Sequence, residues 1–409
     1  MLDRAASLIE GATNELVGLV QRDSGFTAAD GHAEVQRCIE TARLAAMEAR
    51  QLKGDVIPLA GAPGQAGRFG FTLRVPLGVV AAITPFNSPL NTVMHKIAPA
   101  LAAGNPVVLK PSSATPLTAW RLTTLLLEAG VPSDFVSLVY GGANEVRILL
   151  EQPEVRYIAF TGSTEVGRTL QQQAGLRRTQ MELGSIAFTI LCPDANLDLA
   201  LPKIINAAYR KAGQVCTSIQ ILLVHESLTA EVSERLAKLT RAVPYGDPMR
   251  SDTVVGPLIS EAAAIRVEEW ISEAIRGGAR SLAGGPRQGS VVPPTLLTGV
   301  APNARLSCQE AFGPVMSIEP FATLEEAIGR VNSTPYGLAS GIFTNQLDAA
   351  FRAARQLEVG TVHVNETSST RVDLMPYGGS KDSGFGREGP HYAVREMTEE
   401  RMITFAGTG

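Results

Sequence analysis

Gly78-Val-Val-Ala-Ala-Ile-Thr84, running straight into Pro85-Phe-Asn-Ser-Pro-Leu90, is the stretch that decides the fold. It carries no charge and is rich in β-branched residues. It therefore reads as a strand buried on both faces, the kind found in a parallel sheet covered by helices. The prolines stop it, and a helix follows through Leu101. The same alternation recurs downstream. Pro106-Val-Val-Leu-Lys110 precedes a helix over 117–129, with Thr115 as its N-cap and Pro116 at the first helical position. Val136-Ser-Leu-Val-Tyr140 ends in a Gly-Gly turn. Val155-Arg-Tyr-Ile-Ala-Phe160 leads through Thr161-Gly-Ser-Thr-Glu-Val-Gly167 into another helix. Four such units predict a doubly wound sheet with ligands at the carboxyl ends of its strands.

Upstream, residues 1–53 show apolar residues at helical spacing. Residues 55–75 read as two strands joined by a Gly- and Pro-rich loop, a hairpin that needs a surface to pack on. Downstream, a second α/β region spans 184–374, with strands at 188–191, 219–224, 317–321, 341–343 and 361–364. Helices near 199–211, 228–242, 261–276, 324–332 and 347–357 separate them. Pro376-Tyr-Gly-Gly-Ser-Lys-Asp-Ser-Gly-Phe-Gly-Arg387 is too glycine-rich for regular structure and reads as a loop wandering over the surface of the site. At 409 residues the chain exceeds one ordinary core. The expected fold class is α/β, with two doubly wound Rossmann-like domains and a small β element.

A net charge of −4 and a pI near 5.9 supply no basic field for nucleic acid or anionic membrane. No apolar run reaches the ~18 residues of a membrane helix. Cys38, Cys192, Cys216 and Cys308 form no C-x-x-C pair, which fits free thiols in a reducing cytoplasm and argues against a metal site. Cys38, Cys192 and Cys308 read by default as core residues.

Cys216 differs by its setting, Lys211-Ala-Gly-Gln-Val-Cys-Thr-Ser-Ile-Gln220. A helix precedes this run, Gly213 breaks it, and a buried strand follows. A thiol on such a junction can face a cleft as a nucleophile, although many inert cysteines share the setting. Glu182, among apolar neighbours, can act as a base with a raised pKa, or be a solvated strand end. Asn87 can donate to an oxyanion or form an Asx turn. Lys110 can reach a ribose or phosphate, or lie on the surface. No G-x-G-x-x-G follows the first strand. Phe160-Thr-Gly-Ser163 is a weaker phosphate signal, in which Ser163 can cap the helix and Gly162 admits a ligand to the backbone.

Seven motifs occur in order: Thr-Pro-Phe-Asn-Ser-Pro-Leu (84–90), Val-Leu-Lys-Pro-Ser (108–112), Phe-Thr-Gly-Ser-Thr-Glu-Val-Gly (160–167), Met-Glu-Leu-Gly (181–184), Gly-Gln-Val-Cys-Thr (213–217), Gln-Glu-Ala-Phe-Gly-Pro (309–314) and the glycine-rich run 376–389. Together they closely resemble the NAD(P)-dependent aldehyde dehydrogenase superfamily, over essentially the whole chain, and most of all its branch acting on lactaldehyde-like, small polar or anionic aldehydes. The resemblance implies that Cys216 attacks the aldehyde, Asn87 and the Cys216 N–H hold the oxyanion, and Glu182 activates water to hydrolyse the thioester. It assigns Ile83, Thr84, Pro85, Phe86, Lys110, Ser113, Phe160, Thr161, Gly162, Ser163, Val166, Leu183, Glu310 and Phe312 to the cofactor. Arg371, in Thr-Arg-Val-Asp, and His95 can each bind a substrate anion or play an ordinary structural part. Val215 stands where relatives acting on phosphorylated aldehydes can carry an Arg.

The resemblance also sets boundaries: a cofactor-binding domain over 1–54 and 76–183, an oligomerisation hairpin and tail over 55–75 and 399–409, a catalytic domain over 184–374, and a return segment over 375–398. A homodimer or homotetramer follows from the hairpin and tail. Ser113 replaces a Glu that NAD-preferring relatives often carry, so NADP should at least be tolerated beside NAD. Ser185 stands where a second Gly is usual. Relatives begin with further residues ahead of the helix near Met1, so a shortened cofactor domain is expected. The alternatives are a cofactor-binding or structural homologue with little activity, and a cysteine amidase or thioesterase that needs no nicotinamide.

Overall fold

Val79–Ile83 lies near the middle of a six-stranded sheet, and its central residues Val80, Ala81 and Ala82 are fully buried, as an uncharged run demands. Val107–Lys110 and Val136–Leu138 join in parallel on one side; Val155–Thr161 and Arg178–Glu182 join in parallel on the other. The chain thus moves outward twice from the same central strand. Ile83 and Phe160 are partners in the register of the two diverging strands. The gap above their carboxyl ends is a topological switch point, where open α/β sheets bind ligands. Alternation across the strand feeds two cores. Val80 and Ala82 pack with the helices Leu2–Gly11, Thr13–Ser24, Ala28–Gln51, Asn91–Ala102 and Pro116–Glu128; Ala81 and Ile83 pack with Ala143–Glu151 and Thr164–Ala174. The computed structural model describes residues 1–406, so the last three residues of the tail read as 399–409 lie outside the described residues.

A seven-stranded sheet follows. Ala187–Leu191, Ile219–His225, Val315–Phe321 and Thr295–Thr298 run in parallel, with Arg280–Ala283 antiparallel at one edge. Ala339–Phe343 and Thr361–Val364 extend the other side in parallel. A three-stranded antiparallel sheet stands apart, with Phe69–Pro76 between Val56–Ile57 and the tail strand Thr398–Phe405. Phe69, Leu73, Met402 and Phe405 on it are exposed, and the rings of Phe69, Phe71 and Phe405 pack together. Among the described residues no helix is long and apolar enough to cross a membrane.

Several local expectations need correction. Thr115 occupies the N-cap position, but its side chain makes no capping bond; Pro116 is at the helix start as expected. Cys308 is exposed rather than core, its thiol donating to the Pro302 carbonyl. The run 376–387 is not a surface loop. Tyr377, Gly378, Gly379, Ser383 and Gly384 are buried, and two short strands form: Ser380–Lys381 pairs with Tyr336–Gly337, and Gly384–Phe385 pairs with Met181 and Glu182 as the antiparallel edge of the six-stranded sheet. The glycines permit this threading. At Gly384, with φ +104°, a Cβ would lie 1.9 Å from the Met181 carbonyl oxygen. The strand Arg178–Glu182 has no apolar run to announce it, since Arg178 and Thr179 bond to Thr398 and Gln171 instead of entering a core.

Candidate active site

The nucleophile junction is built by strain and by buried charge. The helix Leu197–Tyr209 stops before Gly213, because Lys211, Ala212 and Gly213 all adopt left-handed φ values of 52°, 54° and 69°. Two non-glycine residues in that region cost about 1–2 kcal/mol each. Tertiary contacts hold them there. Lys211 Nζ donates to Glu34 Oε1 at 2.7 Å and to the Asn87 carbonyl at 2.9 Å. Glu34 also accepts from Ser88 Oγ and from the backbone N–H groups of Leu90 and Asn91. Burial would raise its pKa, but the field and hydrogen bond of Lys211 hold it below the ordinary carboxylate value. A Cβ at Gly213 would meet the Gly313 carbonyl oxygen at 2.1 Å, so that backbone approach requires glycine.

The loop so fixed presents Cys216, half-buried, to a cleft of about 1230 Å³. Asn87 reaches the same place from the end of the strand Val79–Ile83. One of its amide N–H groups donates to the Gln214 carbonyl at 2.9 Å, which ties it to the nucleophile loop and leaves the second donor. Glu182 arrives from the end of Arg178–Glu182. It is 3% exposed, and neither carboxyl oxygen has a hydrogen-bond partner among the described residues. Burial, with Glu388 nearby, pushes its pKa well above the usual range despite Lys96 and Arg371. Burial also raises the Cys216 thiol, to about 11, against the lowering effects of a Tyr377 hydrogen bond and of Arg371.

The opposite end of the cleft is a cradle at the switch point. Ile83, Thr84, Pro85 and Phe86 line it from the central strand, Lys110 and Ser113 from the next, and Phe160, Thr161, Gly162, Ser163 and Val166 from the turn into Thr164–Ala174. Ser163 does cap that helix, accepting from Val166 N–H. Lys110 makes no ion pair among the described residues, and burial lowers its pKa. Ser113, exposed, donates to the Gly141 carbonyl. Leu183, Glu310 and Phe312 line the same cleft. Glu310 accepts from the Ser185 N–H at 3.1 Å and is raised to about 7 by burial; Phe312 meets Phe86 edge-on at 5.8 Å.

These residues fit a dinucleotide. The Thr84 hydroxyl is buried without a partner among the described residues, a Cβ at Gly162 would strike the Phe160 ring at 2.4 Å, and Lys110 lines the same cleft as a capped helix N-terminus, where phosphate oxygens are favoured. The volume exceeds the ~300–1,000 Å³ of a usual small-molecule pocket, leaving room for a second ligand.

The two substrate candidates separate. Arg371 lines the cleft; its guanidinium lies 3.7 Å from the centre of the Tyr377 ring, donates to Glu388 at 2.7 Å, and keeps a buried Nε–H without a partner among the described residues. His95 does not line it. It is fully buried on Asn91–Ala102, 2.7 Å from Asp373, and burial lowers its pKa. Asp373 in turn holds Arg37 by two hydrogen bonds. Arg37 and Arg210 join Arg371 in the cleft wall, and Tyr377 places its hydroxyl 3.0 Å from Cys216 Sγ. Sequence reading missed Arg37, Arg210 and Tyr377 for want of a local signal. Tyr377 lies inside the quoted glycine-rich run, but nothing around it points to a thiol 161 positions away.

Residues 1–403 match the model of the aldehyde dehydrogenase family. A 3-sulfolactaldehyde dehydrogenase of Priestia aryabhattai is 43% identical over 404 residues, covering 98% of this chain and 85% of that protein. Among solved structures, aldehyde dehydrogenase 21 of Physcomitrella patens, in complex with its reaction product succinate, superposes with a TM-score of 0.97 at 36% identity, over 100% of this chain and 85% of that one. The glyceraldehyde-3-phosphate dehydrogenase GapN of Methanocaldococcus jannaschii, complexed with NADP, gives 0.94 at 37% identity, over 99% and 88%. The chain belongs to the aldehyde dehydrogenase family.

Proposed function

We propose that the protein oxidises a small polar or anionic aldehyde to its carboxylic acid with NAD or NADP, through a thioester on Cys216. The observation that carries this is convergence: a thiol on a locked turn, a buried unpartnered carboxylate and an amide donor share one cleft with a strand-end cradle. Cys216 Sγ bonds to the aldehyde carbon, and the carbonyl electron pair moves onto oxygen. The second N–H of Asn87 and the backbone N–H of Cys216 stabilise that oxyanion. When bound, the nicotinamide supplies the acceptor for the hydride that the substrate carbon loses. Glu182 then takes a proton from water, the water oxygen adds to the thioester carbon, and the C–S bond breaks to release acid and thiolate. A carboxyl with a raised pKa suits a base working near neutrality. Lys110 and Ser113 would hold the adenosine ribose, the turn 160–163 the phosphates, and Glu310 with Phe312 the nicotinamide end. Ser113, having no charge, does not repel a 2′-phosphate.

Arg37, Arg210 and Arg371 in the cleft wall favour an anionic substrate, Arg371 with its open Nε–H above all. Relatives named for sulfolactaldehyde and a structure holding succinate point to the same chemistry. We assign cofactor binding to 1–54 and 76–183, the catalytic unit to 184–374 and the return segment to 375–398. The hairpin 55–75 with the tail is assigned to a homodimer or homotetramer, supported by its exposed aromatic face; light scattering tests it, a monomer counting against it. The functional test is a panel of aldehydes with NAD and with NADP, following reduced nicotinamide. Short carboxylate- or sulfonate-bearing aldehydes should be preferred, and Cys216→Ala should abolish turnover. A clear preference for long aliphatic or aromatic aldehydes would refute the substrate class, and complete rejection of NADP would refute its tolerance.

A further inference from the structure

The Tyr377 phenol is buried, 5% exposed, and its hydroxyl has one hydrogen-bond partner among the described residues, Cys216 Sγ at 3.0 Å. A buried phenol without an acceptor loses a hydrogen bond, so its proton belongs on the sulfur. The ring cannot easily swing away. Arg371 stacks on it at 3.7 Å, and that guanidinium is anchored by Glu388, itself 1% exposed and held by Lys96 from the other side at 3.0 Å.

The charges around the thiol make such a donor necessary. Glu182 from the strand Arg178–Glu182 and Glu310 from the turn after Arg305–Cys308 both disfavour a thiolate, as burial does. On the other side stand Arg371 from the loop after Thr361–Val364, Arg210 at the end of the preceding helix, and the Tyr377 hydroxyl. Tyr377 is the one of these in direct contact with the sulfur.

We propose that Tyr377 is a further catalytic residue, whose phenolic O–H donates to the Cys216 thiolate, and that Arg371, stacked on the ring, is the positioning residue that keeps it there. This rests on Cys216 being the nucleophile. As the sulfur bonds to the aldehyde carbon its negative charge passes to the substrate oxygen and the bond from Tyr377 weakens; when the thioester is hydrolysed the donor is in place to receive the departing thiolate.

The test is the pH dependence of alkylation by iodoacetamide, read on the Cys216 peptide by mass spectrometry so that exposed Cys308 does not contribute. In Tyr377→Phe, which keeps the ring and its stack, the midpoint should rise by about one unit and alkylation at neutral pH should fall about tenfold, the loss of one hydrogen bond to a charged group. A thermal melt compares folding of the two proteins. Arg371→Lys keeps the charge without the planar stack and should give a smaller rise. An unchanged midpoint in Tyr377→Phe overturns the proposal, and so does a lowered one, which would make the thiol the donor. If Tyr377→Phe does not fold, an unchanged midpoint in Arg371→Lys overturns it instead. The underlying reading fails separately: Cys216→Ala retaining dehydrogenase activity would overturn Cys216 as the nucleophile, whatever the alkylation midpoint of Cys216 in the wild type and in Tyr377→Phe.

Discussion

Glu182→Gln separates the two halves of the proposed reaction. The carboxyl oxygens of Glu182 have no hydrogen-bond partners among the described residues, and the side chain is wedged under Gly378, where a Cβ would lie 2.8 Å from Oε1. Glutamine has the same shape and breaks no existing bond, so the fold should persist. What disappears is the proton acceptor for water. General-base catalysis contributes about 10²–10⁴-fold, roughly 3–5 kcal/mol of barrier, so kcat should fall by that factor. Acylation needs Cys216 and Asn87 but not Glu182. Rapid mixing of enzyme, aldehyde and cofactor should therefore give a burst of about one reduced nicotinamide per active site, followed by a slow steady state. In the wild type, kcat should climb with pH as Glu182 deprotonates; in the variant that limb should flatten. Stability carries a second sign. A carboxyl whose folded pKa is raised binds its proton more tightly in the folded state, and the stability this confers is complete below the unfolded pKa and lost as pH rises through the folded one. The neutral amide has no such loss, so Glu182→Gln should gain melting temperature relative to wild type on going from pH 5 to pH 8. A steady-state rate within about threefold of wild type, or no burst, would refute Glu182 as the hydrolytic base.

Ser113→Glu places a carboxylate where a 2′-phosphate is proposed to lie. At about 6 Å and an effective dielectric near 40 the repulsion is roughly 1.4 kcal/mol, so kcat/KM with NADP should drop about tenfold while that with NAD holds or improves. Steady-state kinetics with both cofactors checks this, and equal effects on the two would count against the assignment. Lys96→Met should cost about 3 kcal/mol in a urea melt, because Lys96 and Glu388 are both buried and Glu388 would keep only Arg371 as its cationic partner. A loss below about 1 kcal/mol would show that the Glu388 charge is solvated or protonated instead.

The sheet framework was legible because buried parallel strands cannot carry charge. Val79–Ile83, Val107–Lys110 and Ile219–His225 fall where uncharged runs put them, within a residue or two. Strands that satisfy polar side chains locally, such as Arg178–Glu182, leave no such trace. Cys216, Glu182 and Asn87 were nameable because each is embedded in a short motif and the motifs come in order. Their convergence was not, since it depends on two separate strand ends and a loop meeting in one cleft. His95 shows the limit of residue type as a guide: a histidine on an apolar helix turned out to serve Asp373 behind the wall, and Asp373 serves Arg37 in it.

Three of the five non-glycine residues with left-handed φ among the described residues lie at the cleft or in its nucleophile loop. Lys211 and Ala212 take left-handed φ beside the nucleophile, and Phe312 does so at 49° against Phe86. Ionisable side chains that a core should exclude, Glu34, Lys96, Glu182 and Glu388, lie beneath the same wall. Their concentration has a mechanical reading: strained backbone persists only where surrounding contacts over-determine it. The buried pairs supply those contacts: Glu34 with Lys211 under the thiol loop, and Lys96 with Glu388 and Arg371 under Tyr377. The thiol is therefore held from two directions by ion pairs that do not touch it. A substitution in either pair should misplace Cys216 before it unfolds the sheet, because the strands themselves depend on the apolar layers and not on these charges.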